Sequence, residues 1–226
     1  PLGVSVTAVT HCEHRLKKLN QSFTDGSISR KHLQTFIDNT FEAYQLLSSN
    51  LERAATLIQN FKKTAVDQSS FELVKCQLND YLHALVLSLN PMVKKKKVTI
   101  SIHCNEDIVL NTYQGALAQI VTNLVSNTND HAFAEPDENH QIDILTAEED
   151  NGVRFSFRDN GKGMDSETMK NIFEPFFTTS RQTGGSGLGL SIVYNLVTRK
   201  LKGQISVQST PGEGTEFSFF LPNLPK

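Results

Sequence analysis

From Leu33 onward, core-compatible residues recur at a strict four-three spacing: Leu33, Ile37, Thr40, Tyr44, Leu47, Leu51, Ala54, Ile58, Phe61 and Ala65. Thr40 alone does not suit a core, and a 3.5-residue period held this long predicts the seam of a coiled coil. Phe36, Phe41 and Leu57 lie beside the seam and widen it, as in a helix packed on more than one neighbour. Upstream, Leu2, Val6, Val9, Leu16 and Phe23 make a shorter, rougher stripe. Thr24-Asp25-Gly26-Ser27 separates the two stretches as a turn sequence, and Ser27 or Ser29 is available to cap the second helix. So short a connection predicts an antiparallel helical hairpin over residues 1–68. Two helices cannot cover a stripe this wide, so pairing with a second copy into a four-helix bundle is expected. Packing against the rest of the same chain is the alternative.

From Phe71 the period changes. One helix is predicted over about 77–90, ending at Asn90-Pro91. Alternating stretches then mark strands near 98–104, 141–147, 152–158, 203–209 and 214–221, with helices near 113–133 and 187–201. Residues 69–226 are therefore expected to form an α+β sandwich, a mostly antiparallel sheet with helices on one face. The run Lys94–Lys97 reads as a solvated loop leading into the first strand, with a docking patch as the alternative.

Composition narrows the function classes. With 226 residues, 38% of them hydrophobic and a formal net charge of -2, the chain carries no footprint for nucleic acid or anionic membrane. Its apolar runs fall short of the ~18 residues a membrane span requires. Cys12, Cys76 and Cys104 are odd in number and widely spaced. They fit neither a disulfide framework nor a zinc site, so a reducing, cytoplasmic setting is expected.

Four stretches look chemical. In QIVTNLVSNTNDHAF (119–133), Asn123 and Asn127 stand four apart on a predicted helix and share a face. A carboxamide oxygen is a hard, neutral ligand, suited to magnesium already shared with phosphates. In FRDNGKGMD (157–165) a strand runs into Asp159, after which Gly161 and Gly163 let the backbone turn tightly. NIFEPFFTTS (171–180) is too apolar for a free loop, and Pro175 is expected to stop the preceding helix. In GGSGLGLSIVYNLV (184–197), Gly185, Gly187 and Gly189 precede and open an apolar helix whose free N–H groups can meet phosphate. No Gly-Lys-Ser/Thr follows, so this is not a Walker loop.

In this order and at these separations the four stretches resemble the N box, first glycine box, F box and second glycine box of bacterial sensor histidine kinases. These share an ATP-binding fold class with gyrase, mismatch-repair proteins and heat-shock chaperones, and Gly214-Thr215 followed by Phe217 completes the likeness. The resemblance implies ATP and Mg2+ as cofactors. It assigns magnesium to Asn127, a phosphate or a metal-bound water to Asn123, and the adenine amino group to Asp159, with Gly161 and Gly163 shaping the pocket. Gly185, Gly187, Leu188 and Gly189 would border the triphosphate, residues 174–186 would form a mobile lid, and Thr215 would support the adenine side. Asp130, His131, Phe177, Thr178 and Arg181 would also line the nucleotide. Kinases often carry a basic residue where Asp130 stands, so phosphate charge would fall to Lys162 or Arg181, with Asp130 turned away or holding His131.

The ATPases of this class place a glutamate four residues before the metal-binding asparagine. Here that position is Asn123, which cannot act as a general base, so transfer to an external nucleophile is expected over hydrolysis. The acceptor should be a histidine, yet none of the seven lies in a His-Glu-x-x-x-Pro setting; His11 and His14 read as a solvated helix face. The opening PLGVSVTA resembles the tail of an acceptor box of the form H-E-x-N-T-P-L-G, which would put the histidine just upstream of Pro1; a remnant of a cleaved purification tag is the alternative for Pro1-Leu2-Gly3. The family then implies a homodimer through residues 1–68, a response-regulator receiver domain as partner, and membrane attachment only through segments outside this chain. Two other readings keep the same residues: a dimeric ATP-binding scaffold, and a slow ATPase.

Overall fold

The computed structural model describes residues 2–66, 72–133, 135–179 and 185–225. It divides into two compact units, residues 1–65 and 66–226.

The first unit holds α1 (Leu2–Thr24) and nearly all of α2 (Arg30–Val66). Of the two candidate caps it is Ser29 that acts, its Oγ accepting from the His32 N–H at 3.2 Å. Val6, Val9, Leu16, Phe23, Leu33, Ile37, Phe41, Tyr44 and Leu51 are all more than 40% exposed, so within one copy the predicted stripes stay largely uncovered. The side chains of Leu2, Leu57, Ile58, Phe61 and Ala65 lie outside the described residues.

The second unit runs β1 (Leu73–Gln77), α3 (Leu78–Val93), β2 (Thr99–His103), β3 (Val109–Tyr113), α4 (Gln114–Asn127), β4 (Gln141–Glu149), β5 (Gly152–Asp159), α5 (Ser166–Asn171), α6 (Gly189–Asn195), β6 (Gln204–Thr210) and β7 (Gly214–Pro222). Five strands form one sheet in the order β2-β4-β5-β7-β6, antiparallel except where β2 meets β4. Alternation puts Ile142, Ile144, Val153, Phe155, Phe157, Phe217, Phe219 and Leu221 on the buried side. There they share one core with Leu82 and Val86 of α3, Leu117, Ile120 and Leu124 of α4, and Val193 of α6. Phe155 and Phe219 stack at 4.9 Å between ring centres. Each buried ring of this kind contributes about 1.5–3 kcal/mol.

Three features depart from the sequence reading. The strands β1 and β3 pair as a separate antiparallel ribbon where no strands were predicted. The alternation of Val109-Leu110-Asn111-Thr112-Tyr113, with Leu110 and Thr112 buried, was the available signal. The helix predicted to end at Asn90-Pro91 runs through Pro91 to Val93, because Val93 is buried and draws the last turn onto the core. A proline this near a C-terminus costs few helix bonds, and a 3₁₀ turn (Lys94–Lys96) closes the segment. Both helices that carry motifs end in π turns, Thr128–Ala132 after α4 and Leu196–Lys200 after α6, where regular helix was expected.

Candidate functional site

Asp159 ends β5 opposite Thr215 of β7, and both are buried. Its Oδ1 accepts from the Gly161 N–H at 2.9 Å and its Oδ2 from the Thr128 hydroxyl at 3.3 Å. Burial nonetheless pushes the carboxyl above the ordinary Asp value, the Gly161, Thr128 and Thr215 contacts opposing the shift. Around it the backbone is tightly interlocked. A Cβ on Gly161 would stand 2.4 Å from Cβ of Ala132, and the Lys162 N–H donates to Ala132 O at 3.1 Å. Gly163, at φ +66°, leaves a Cβ no room beside Thr210 O (2.0 Å), so only glycine fits there. Ser209, not singled out in the sequence, ties this corner together: its Oγ meets Met164 N, Gly214 O and Thr215 Oγ1 at 2.8, 2.8 and 2.9 Å.

Asn123 and Asn127 lie one turn apart on α4, and Thr128, the next residue, carries the hydroxyl that reaches Asp159. The π turn thus links the asparagine face to the carboxylate. The polarity of Thr128 and Asn129 has its reason here: Thr128 serves Asp159, and Asn129 Nδ2 donates to Asp130 Oδ1 at 3.0 Å. Asp130 is exposed and its other oxygen accepts from Ser126 at 3.3 Å, so it turns back along its own helix. Burial pulls His131 below the ordinary histidine value; the nearby Asp130 opposes this, while Lys162 and Lys96 reinforce it.

The F box and second glycine box meet directly. The Phe176 N–H donates to Gly187 O at 2.9 Å, and a Cβ on Gly187 (φ +66°) would strike the Phe176 backbone at 2.5 Å. Phe173 packs on Tyr194 and Phe217, and Phe177 packs against the core. The helix before Pro175 stops earlier than predicted, at Asn171. Thr178 is half-buried, the Leu188 N–H donates to Ser186 Oγ at 3.3 Å, and Gly185 directly precedes Ser186. A side chain at Gly189 would meet only open space, so the fold itself does not demand glycine there. Arg181, and with it the centre of the predicted lid, lies outside the described residues; Lys162 is exposed.

Residues 112–225, just over half the chain, match the model of the histidine kinase-, DNA gyrase B- and HSP90-like ATPases. The chain belongs to that family. Its relatives there are sensor histidine kinases. It is 35% identical over 175 residues to the autoinducer 2 sensor kinase/phosphatase LuxQ of Vibrio vulnificus, covering 73% of this chain and 20% of that protein. It is 31% identical over 203 residues to the sensor kinase CckA of Brucella abortus, covering 83% and 21%. The chain thus spans about a fifth of the length of these relatives. Among solved structures, the nucleotide-free catalytic domain of the histidine kinase ThkA is 27% identical with a TM-score of 0.59, covering 68% of this chain and 99% of that one. ThkA in complex with the response regulator protein TrrA superposes at a TM-score of 0.60 and 20% identity, covering 97% and 61%, and shares the fold.

Family membership implies ATP, and the residues present fit Mg-ATP. Asn123 Nδ2 is buried without a hydrogen-bond partner among the described residues, on the helix face that also carries Asn127. Such an orphan donor costs about 1–3 kcal/mol until a ligand atom or ordered water satisfies it. The carboxamide pair offers neutral oxygen ligands of the kind magnesium takes when phosphates supply the charge.

Proposed function

We propose that this chain is the dimeric catalytic core of a sensor histidine kinase, which holds Mg-ATP for phosphoryl transfer to a histidine. In this reading Asn127 ligates the magnesium, Asn123 meets a phosphate oxygen or a metal-bound water, and Asp159 accepts from the adenine amino group. Gly185, Gly187, Leu188 and Gly189 border the triphosphate. Magnesium, when bound, neutralises phosphate charge; the chain's own residues orient the nucleotide and keep hydrolytic water unactivated. The γ-phosphoryl passes to an imidazole nitrogen of an acceptor histidine, with ADP leaving, and then to an aspartate of a response regulator. ThkA, whose catalytic domain is 27% identical, is itself found with a response regulator protein, which supports that partner. The exposed stripe of α1 and α2 supports a homodimer through residues 1–68. No helix among the described residues is long and apolar enough to cross a membrane; the reading sets this core in the cytoplasm.

One observation carries the choice of kinase over ATPase: Asn123 occupies the position where a water-orienting carboxylate would stand, and no other carboxylate is offered from that face of α4. Incubated with radiolabelled Mg-ATP, a chain extended by an acceptor box of the family is expected to acquire acid-labile label that Asn127→Ala abolishes. The 226 residues alone are expected to bind Mg-ATP and acquire no stable phosphohistidine. Label that survives Asn127→Ala rejects the magnesium role, and steady phosphate release lost in Asn127→Ala marks an ATPase instead.

A further inference from the structure

The run Lys94–Lys97 reads in sequence as a solvated loop, but one of its members is not solvated. Lys94, Lys95 and Lys97 are exposed, Lys97 pairing with Glu138 at 3.0 Å on the surface. Lys96 is half-buried, and its ammonium donates to the carbonyls of Asn129 at 2.5 Å and Phe133 at 2.6 Å. Asn129 belongs to the π turn after α4 and Phe133 caps it. The turn closes through Phe133 N–H to Thr128 O at 3.3 Å, which leaves the last carbonyls without helix donors, and Asn129 and Phe133 are buried. Lys96 supplies both missing donors and sets a full positive charge at the negative end of the helix. The same residue anchors the turn from outside: its carbonyl meets His140 Nδ1 at 3.2 Å, and the His140 ring stacks on Phe133 at 4.1 Å between centres.

What the clamp holds is the stretch that joins the two halves of the candidate site. Thr128 begins the turn beside Asn127 and donates to Asp159; Ala132 ends it against Gly161 and accepts from Lys162 N–H. We infer that Lys96 is a positioning residue, which fixes the π turn 128–132 and thereby the spacing between the asparagines of α4 and the buried carboxylate of Asp159. The inference rests on reading this site as one for Mg-ATP.

The test is calorimetric titration of the 226-residue chain with Mg-ATP, together with its thermal melt. Lys96→Met keeps the aliphatic stem, removes both donors, and is expected to weaken binding about tenfold, the lower range for lost supporting contacts around a metal site. Lys96→Arg, which keeps charge and donors, is expected to recover most of that loss. In an Asp159→Asn background the Lys96→Met loss should shrink below about twofold, since the two residues act through one turn; independent effects would add. Should Lys96→Met fail to fold, Lys96→Gln, which removes the charge and shortens the reach, is read the same way. Unchanged affinity in a folded variant, full additivity with Asp159→Asn, or failure of both variants to fold overturns the positioning role. A wild-type chain that does not bind Mg-ATP overturns the site itself, which separates the two failures.

Discussion

At the scale of single residues, Asp159 carries two opposed demands. Burial raises its pKa above the ordinary Asp value, so folding contributes stability that is fully present below that value and is lost as pH rises through the folded pKa. The proposed recognition of an adenine amino group would ask instead for an acceptor carboxylate, which protonation weakens. The affinity for Mg-ATP is therefore expected to fall in acid, with its midpoint above the ordinary Asp value. Asp159→Asn should bind about ten- to a hundredfold more weakly and lose that acid limb while melting no lower at neutral pH. Titration of both chains from about pH 4.5 to 8 checks this; an unchanged acid limb in Asp159→Asn would assign the titration to another group.

At the scale of elements, the asparagine-bearing helix is fixed at both ends by groups from its neighbours. Lys96 holds its C-terminal turn, and Tyr81 of α3 donates to Gln114 O at 2.6 Å in its first turn. Burial pushes the Tyr81 phenol up to about 12, so the donor stays protonated, and the bond intact, at every pH below that. Tyr81→Phe is expected to cost about 1 kcal/mol in urea unfolding with unchanged slope, since one hydrogen bond is lost and no cavity opens. The cost should be the same at pH 6 and pH 9. A larger loss at pH 9 would mean that the phenol ionises earlier than its burial implies. The two motif helices share one feature: each ends in a π turn, which re-aims the chain toward the following strand or loop.

At the scale of the whole molecule, every candidate nucleotide residue from Asn123 to Thr215 lies in the second unit, whereas the uncovered apolar stripe lies in the first. Dimerisation and nucleotide binding are thus expected to be separable. Ile37, 51% exposed and the second of the ten seam positions, is the place to test it. Ile37→Asp should convert a dimer into a monomer in sedimentation while leaving the Mg-ATP affinity within about twofold of wild type, since a buried charge at a seam position is costly and Ile37 belongs to the unit that holds none of the candidate nucleotide residues. A chain that stays dimeric with Asp at this position would place the interface elsewhere.

The sequence by itself determined most of the sheet, the helical stretch before it and the four motifs. Alternation over 141–147, 152–158 and 214–221 and the seven-residue period from Leu33 are local signals of which face is apolar. The alternation of 109–113 could mark a strand there but not its partner, since β1 stands on the far side of α3 and β2 in the sequence. Nor could the sequence tell Lys96 from its three lysine neighbours, because four identical residues in a row carry no pattern. Only the tertiary structure decided that one of them faces the end of α4, that Asp130 turns back to Ser126, and that Thr128 rather than a neighbour reaches Asp159. Periodicity records which face of an element is buried; which polar partner waits on that face is set by other parts of the chain, and that is settled when the elements meet.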